Sequence, residues 1–256
     1  MQENDREGQI NVVQGFITQH VSGIVVAPLD SQALVDSIME AKAAGIPTVL
    51  FDSGLDDAQA YVSYVATDNY RGGALAARQL AKVLGGKGKV ALLRYNPGSE
   101  STEQRERGYL ETLAKEFPGI TVISSNKYLK TTPEEALNIA QQFLLKHGSE
   151  LDGVFTVCEP NSTGMLEALE AAGLAGKVKF IAFDPTPQLI EGIKQGKVHG
   201  IVLQDPVRMG YLATQAMIAH LEGKPVENRI PTGEFIATPD NVDTPEIVKL
   251  LHPVQY

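Results

Sequence analysis

The chain has 256 residues, 43 % apolar and 21 % charged, with 22 Lys plus Arg against 31 Asp plus Glu and a net charge of −9. That balance excludes intrinsic disorder and collagen-like sequence, and a pI near 5.1 argues against a phosphate-backbone partner, so no nucleic acid is expected. No apolar run approaches the roughly 18 residues that cross a bilayer, so no membrane insertion is expected, and the single cysteine, Cys158, excludes an internal disulfide.

Short Val- and Ile-rich runs alternate with stretches of helical period, the pattern of βα units around parallel sheets. The first element is a helix at about 6–20, with an apolar face at Ile10, Val13, Phe16 and Ile17. A strand at 23–27, a helix at 31–44, strands at 48–52 and 61–65 and a helix at 69–84 follow. Strands at 90–93, 120–123, 154–157, 180–183 and 200–203 then alternate with helices at 101–117, 133–147, 162–173, 186–195 and 206–222. Thr132-Pro-Glu-Glu135 is a capping box, and Asp184-Pro185, Asp205-Pro206 and Thr244-Pro245 repeat the arrangement of a cap followed by Pro. Gly45, Gly173 and Gly223 close helices.

Eight strands and eight helices satisfy a (β/α)₈ barrel on count alone, but the stretches after 65 and 204 read as switches rather than regular crossovers. A doubly wound α/β architecture fits better. In such a sheet a helix normally follows a strand, so the leading helix at 6–20 carries the expectation that a segment is missing upstream. Charge is uneven as well: residues 1–66 hold nine acidic side chains against Arg6 and Lys42, which reads as an acidic solvated face.

In open α/β sheets ligands bind beyond the carboxyl ends of strands, and the residues just after the apolar runs are strongly polar. They are Asp30, Asp52 with Ser53, Asp68, Arg94 with Tyr95, Cys158 with Glu159, Asp184, and Gln204 with Asp205. Carboxylates, amides and a bidentate Arg suit a neutral polyol such as a sugar. Each has a plainer alternative, since Asp30, Asp184 and Asp205 stand where helix caps stand and Asp52 could be a turn residue. Arg105 and Arg107 lie two apart and point to different faces of their helix, where either could pair Glu103 or Glu111.

Other chemistries lack support. Cys158 has no flanking glycines of a nucleophile elbow, and the histidines at 20, 147, 199, 220 and 252 show no metal-ligand spacing. Gly85-Gly86-Lys87-Gly88 runs from helix to strand, the reverse of a phosphate cradle, and no GxGxxG follows a strand. No catalytic residue, cofactor or metal is expected.

Six segments in order, Gly23-Ile-Val-Val-Ala-Pro-Leu-Asp30, Gly45-Ile-Pro-Thr-Val-Leu-Phe-Asp52, Ala66-Thr-Asp-Asn-Tyr-Arg-Gly-Gly73, Gln104-Arg-Glu-Arg-Gly108, Phe180-Ile-Ala-Phe-Asp184 and Pro239-Asp-Asn-Val-Asp-Thr-Pro245, resemble periplasmic sugar-binding proteins of the ribose-binding type. The resemblance runs from about residue 5 to the end. It implies two Rossmann-like lobes with parallel sheets, hinge-linked by three chain crossings near Thr67, Gln204 and Pro231, with sugar bound between them. The lobes would be 1–66 plus 205–230 and 67–204 plus 231–256. The first would lack its leading β-α-β segment and the aromatic residues that segment brings, leaving a sheet edge and an apolar helix face uncovered, so the chain as given is expected to bind sugar weakly or not at all.

Carried over residue by residue, the resemblance implies ligand contacts from Asp52, the position of Ser53, Arg107, Asp184 and Gln204, and Cys158, Glu159 and Phe183 are further candidate ligand contacts. Arg107 would donate two bonds, and Asp52 and Asp184 would accept from hydroxyls. Ser53 stands where ribose binders use Arg and Cys158 where they commonly use Asn, which puts ribose itself in doubt. The expected function is the solute-binding component of an ABC-type sugar importer, not an enzyme, with a monosaccharide or polyol as ligand and a permease as partner. The intact protein would then be periplasmic or extracytoplasmic. The alternatives are the effector core of a lac-repressor-like regulator and an α/β enzyme acting on sugars.

Overall fold

The structure is a computed structural model and describes residues 5–253; the outermost residues of the expected lobes, 1–4 and 254–256, lie outside the described residues. The chain divides into two compact units. Unit 1 comprises Met1–Asp68, Pro97–Glu103 and Asp205–Gly233, and unit 2 Asn69–Asn96, Gln104–Gln204 and Glu234–Tyr256. The changes of unit fall after Asp68, Gln204 and Gly233, and the short stretch Pro97–Glu103 packs with unit 1, which the resemblance did not imply.

Unit 1 opens on α1 (Arg6–Thr18), capped by Asp5, whose carboxylate accepts from the Gly8 amide, and continues through β1 (Ile24–Val26), α2 (Val35–Ala43), β2 (Thr48–Phe51) and β3 (Ser63–Ala66). Helix α2 begins later than the sequence suggests, because the Asp30 carboxylate takes the Gln32 and Ala33 amides and folds residues 31–34 into turns. Unit 2 supplies α3 (Asn69–Leu84), β4 (Gly88–Arg94), most of α4 (Glu100–Glu116), β5 (Ile120–Tyr128), α5 (Pro133–His147), β6 (Gly153–Thr156), α6 (Glu159–Ala171), β7 (Lys179–Phe183), α7 (Pro187–Lys194) and β8 (Gly200–Leu203). Then come α8 (Pro206–Leu221) and β9 (Arg229–Pro231) of unit 1, and β10 (Phe235–Ala237) and α9 (Pro245–Leu251) of unit 2.

The strands form two open sheets, not one closed barrel, so strand count alone was a poor guide. In unit 1 the order is β1-β2-β3-β9, all parallel. Alternation along β2 shows how it is buried: Leu50 packs with Val13 of α1 and Ile38 of α2, while Val49 packs with Ala213 and Met217 of α8. Strand β1 is the edge of this sheet, with Val25 partly exposed, and Phe16 of α1 and Tyr211, Ile218 and Leu221 of α8 also face solvent.

Unit 2 has the order β10-β8-β7-β6-β4-β5, parallel except for β10. Helices α5, α6, α7 and α9 cover one face, around Phe143, Met165 and Phe180; α3 and α4 cover the other, around Leu80, Tyr109 and Phe155. Two glycines decide how closely α3 and α4 approach. A Cβ on Gly73 would collide with the Arg105 carbonyl, and one on Gly108 with the Tyr70 carbonyl. The two helices therefore cross backbone to backbone, which brings Asn69 at the start of α3 and Arg105 in the second turn of α4 within hydrogen-bond reach.

At the amino end of β8, His199 is half-buried, with the Phe180 amide donating to its Nδ1 at 3.2 Å and Lys179 Nζ lying 3.2 Å from Nε2. Burial first, and then the Lys179 charge, push the imidazole from the ordinary 6.5 down to about 4. The folded protein thus holds this ring neutral where the unfolded chain binds a proton, so stability is lost as pH falls from about 6.5 to about 4. With half of the ring in water the loss is about 1–2 kcal/mol. Urea unfolding of the wild type and His199→Gln across that range checks it, the variant showing the flatter profile.

Candidate functional site

The carboxyl end of the unit 2 sheet is organised by Arg105. The residue is 3 % exposed, and its side chain leaves α4 at the helical phase of Tyr109 and Leu113, which are also buried. Nε donates to Asn69 Oδ1 at 2.9 Å, Nη1 to the Val157 carbonyl at 2.9 Å and Nη2 to Gln204 Oε1 at 3.1 Å. The guanidinium carbon lies 3.8 Å from the centroid of the Phe183 ring. Gln204 Nε2 donates onward to Asp184 Oδ1 at 2.8 Å, completing a line Asn69–Arg105–Gln204–Asp184. A guanidinium has five N–H donors, so these bonds leave one on each Nη, and among the described residues no carboxylate forms an ion pair with it.

Arg107, the arginine expected to hold the ligand, is not part of this cluster. Its side chain is 57 % exposed, 4.0 Å from Glu111 and 5.3 Å from the Tyr70 ring. Two residues of helix turn it through about 200°, away from the buried face that carries Arg105. The Tyr109 and Leu113 positions, four and eight residues after Arg105, were the sequence signal that separated the two arginines.

Asp184 adopts a left-handed backbone, φ 63°, and its amide still donates to the Val202 carbonyl at 2.9 Å. It does not cap α7: that role falls to Thr186, whose hydroxyl accepts from the Leu189 amide. The Asp184 carboxylate is thereby kept for the cluster, at a backbone cost of order 1 kcal/mol. Asp30 and Asp205 are spent on local structure instead. Asp205 accepts from the Arg208 amide, and Asp30 also pairs with Arg6 at 3.0 Å. Arg94 is likewise engaged, with Glu106 at 3.1 Å and the Ser125 carbonyl.

Cys158 and Glu159 stand at the start of α6, with Glu159 Oε1 accepting from Thr163 at 3.0 Å. Burial pushes the Cys158 thiol well up, so it is protonated at neutral pH. Among the described residues no group of three or more His, Cys, Asp or Glu side chains is gathered to hold a metal ion.

Unit 1 ends its central strands in a similar way. Asp52, at the end of β2, has φ 63° and an amide that donates to the Val65 carbonyl at 3.0 Å. No hydrogen bond or ion pair to its carboxylate is formed among the described residues. Ser53 Oγ accepts from the Ser101 amide at 3.3 Å, and Glu100 Oε2 accepts from the Gly54 amide at 3.3 Å and the Tyr64 hydroxyl at 3.1 Å. Arg229 lies 4.1 Å from the centroid of the Tyr64 ring. Burial, with the Glu100 charge second, drives the Tyr64 phenol far up, so it stays a donor. Glu100 and Ser101 follow no apolar run, and nothing in their spacing marked them.

With these arrangements in view, comparison with known proteins places the chain. A family model described as a periplasmic binding protein domain matches residues 1–225. The ribose import binding protein of Bacillus subtilis (strain 168) is 30 % identical over 228 residues, covering 89 % of this chain and 72 % of that protein. The chain belongs to the ribose-binding type of periplasmic binding proteins. Among solved structures, a carbohydrate transporter solute binding protein from Agrobacterium radiobacter, in complex with D-arabinose, has a TM-score of 0.92 at 31 % identity, covering 97 % of this chain and 84 % of that chain. An ABC transporter solute binding protein from Agrobacterium vitis with bound D-fucose has a TM-score of 0.92 at 31 % identity, covering 96 % and 85 %.

The two arginines give a direct contrast. Arg105→Ala strands two buried acceptors and a half-buried one and is expected to cost about 3 kcal/mol in chemical denaturation, whereas Arg107→Ala stays within about 0.5 kcal/mol.

Proposed function

We propose that this chain is the solute-binding component of an ABC-type sugar importer, with a monosaccharide or polyol as ligand, a membrane permease as partner and a periplasmic place of work. The observation that carries the reading is the buried Arg105 guanidinium, stacked on Phe183 and joined through Gln204 to Asp184. It offers donors from Arg105 beside acceptors from Asp184, over an aromatic face, and neighbouring hydroxyls on a sugar ring take both. Gln204 bonds to both ionic groups, accepting from Arg105 and donating to Asp184. Unit 1 offers a second polar set in Asp52 and Ser53.

Arg105 takes the role that the resemblance gave to Arg107. Cys158 and Glu159 border the cluster, and the thiol, a weak donor, suits a ligand region with few hydroxyls. The relatives named above are import and solute-binding proteins, which favours the importer over the regulator. The backgrounds of bound D-arabinose and D-fucose in those relatives, rather than ribose alone, set the range of ligands to try.

A ligand that binds only the folded state stabilises it by RT ln(1 + [L]/Kd), about 2.7 kcal/mol at a hundredfold excess over Kd, so millimolar sugar reveals even weak binding. Thermal unfolding with D-arabinose, D-fucose, D-ribose, D-allose, xylitol and myo-inositol is expected to show an upward shift for at least one. Asp184→Asn and Arg105→Lys should each reduce that shift. A flat response across the panel would sink the reading.

A further inference from the structure

Parallel strands send the backbone groups of alternate residues to opposite edges. Asp184 donates its amide toward β8, at the Val202 carbonyl, so the amide and carbonyl of Phe183 point the other way, toward β6. Strand β6 has already ended there. Its ladder with β7 stops at Phe155 opposite Ile181, and the chain then turns through Cys158 into α6.

Ser162, fully buried in the first turns of α6, fills the gap. Its Oγ accepts from the Phe183 amide at 3.0 Å and lies 3.1 Å from the Phe183 carbonyl, 2.9 Å from the Cys158 carbonyl and 2.8 Å from Thr156 Oγ1. One hydroxyl has one proton and two lone pairs, and this one can use them all: it accepts from Phe183 and Thr156 and donates to a carbonyl. It takes the Phe183 amide as the carbonyl of the missing strand residue would, and its one proton is shared between the Phe183 and Cys158 carbonyls.

We infer that Ser162 is a positioning residue for the unit 2 ligand contacts, holding Phe183 and Asp184 in place across the opening between β6 and β7. Phe183 is the ring under Arg105, and Asp184 follows it directly in a strained backbone conformation. The same hydroxyl contacts the Cys158 carbonyl, so one side chain ties the ends of two strands. The inference rests on the sugar-binding reading for what is positioned, but the positioning itself has a ligand-free readout.

Amide hydrogen exchange of the full chain is compared for the wild type and Ser162→Ala. Faster exchange at Phe183, by about tenfold or more, with Ile181 and Leu92 unchanged, is the expected result. Equal acceleration along all of β7, or none at Phe183, overturns it. If S162A does not fold, Thr156→Val removes only the neighbouring hydroxyl and should give the same local pattern at about threefold. The ligand arm is titration with D-arabinose at a temperature where every variant is folded. S162A should weaken binding about tenfold in the wild type and leave it unchanged in an Asp184→Asn background. Additive losses would refute positioning through Asp184. No binding of D-arabinose by the wild type would count against that sugar alone, and the exchange arm would still decide the role of Ser162.

Discussion

A buried guanidinium that forms no ion pair among the described residues is the constraint around which the unit 2 strand ends are arranged. Burying a charge outside an ion pair is costly unless hydrogen bonds compensate it, and Arg105 commits three of its five donors to a side-chain amide on each flank and the Val157 carbonyl, beside an aromatic face. Each of those partners imposes a condition elsewhere. Asn69 reaches it only because Gly73 and Gly108 let α3 and α4 touch, and the Val157 carbonyl is free for it only because β6 stops short. Gln204, at the end of β8, turns its remaining donor to Asp184. One amide thereby links a cation and an anion at the strand ends.

The same backbone solution occurs in each unit. Asp52 and Asp184 both follow a central strand, both keep their amide bonded to the adjacent strand and both turn at φ 63°. An aspartate tolerates that conformation better than most side chains, and the sharp turn leaves its carboxylate at the strand end rather than in a helix cap. The dihedral is thus a second, independent sign that these two acids serve more than local structure.

Most of the fold was legible because buried parallel strands are written as unbroken apolar runs, such as Val154–Val157 and Phe180–Phe183. Strands β9 and β10 were not, because three residues such as Arg229-Ile-Pro231 carry no period and owe their conformation to a neighbouring strand. Of the Arg105 cluster, Asp184 and Gln204 were readable as polar residues placed just after strands. Arg105 required helical phase, which was present in Tyr109 and Leu113 but was outweighed by the resemblance favouring Arg107. Ser162 and Glu100 were beyond reach, since each matters through backbone groups that only the tertiary structure brings to it.

Cys158 is the chain's single cysteine, it is buried, and its thiol is held protonated. A thiol in that state reacts with an alkylating reagent only when the surrounding turn opens, so its labelling rate counts those openings. The molecule therefore carries its own reporter on the turn between β6 and α6, close to Asp184 and Arg105.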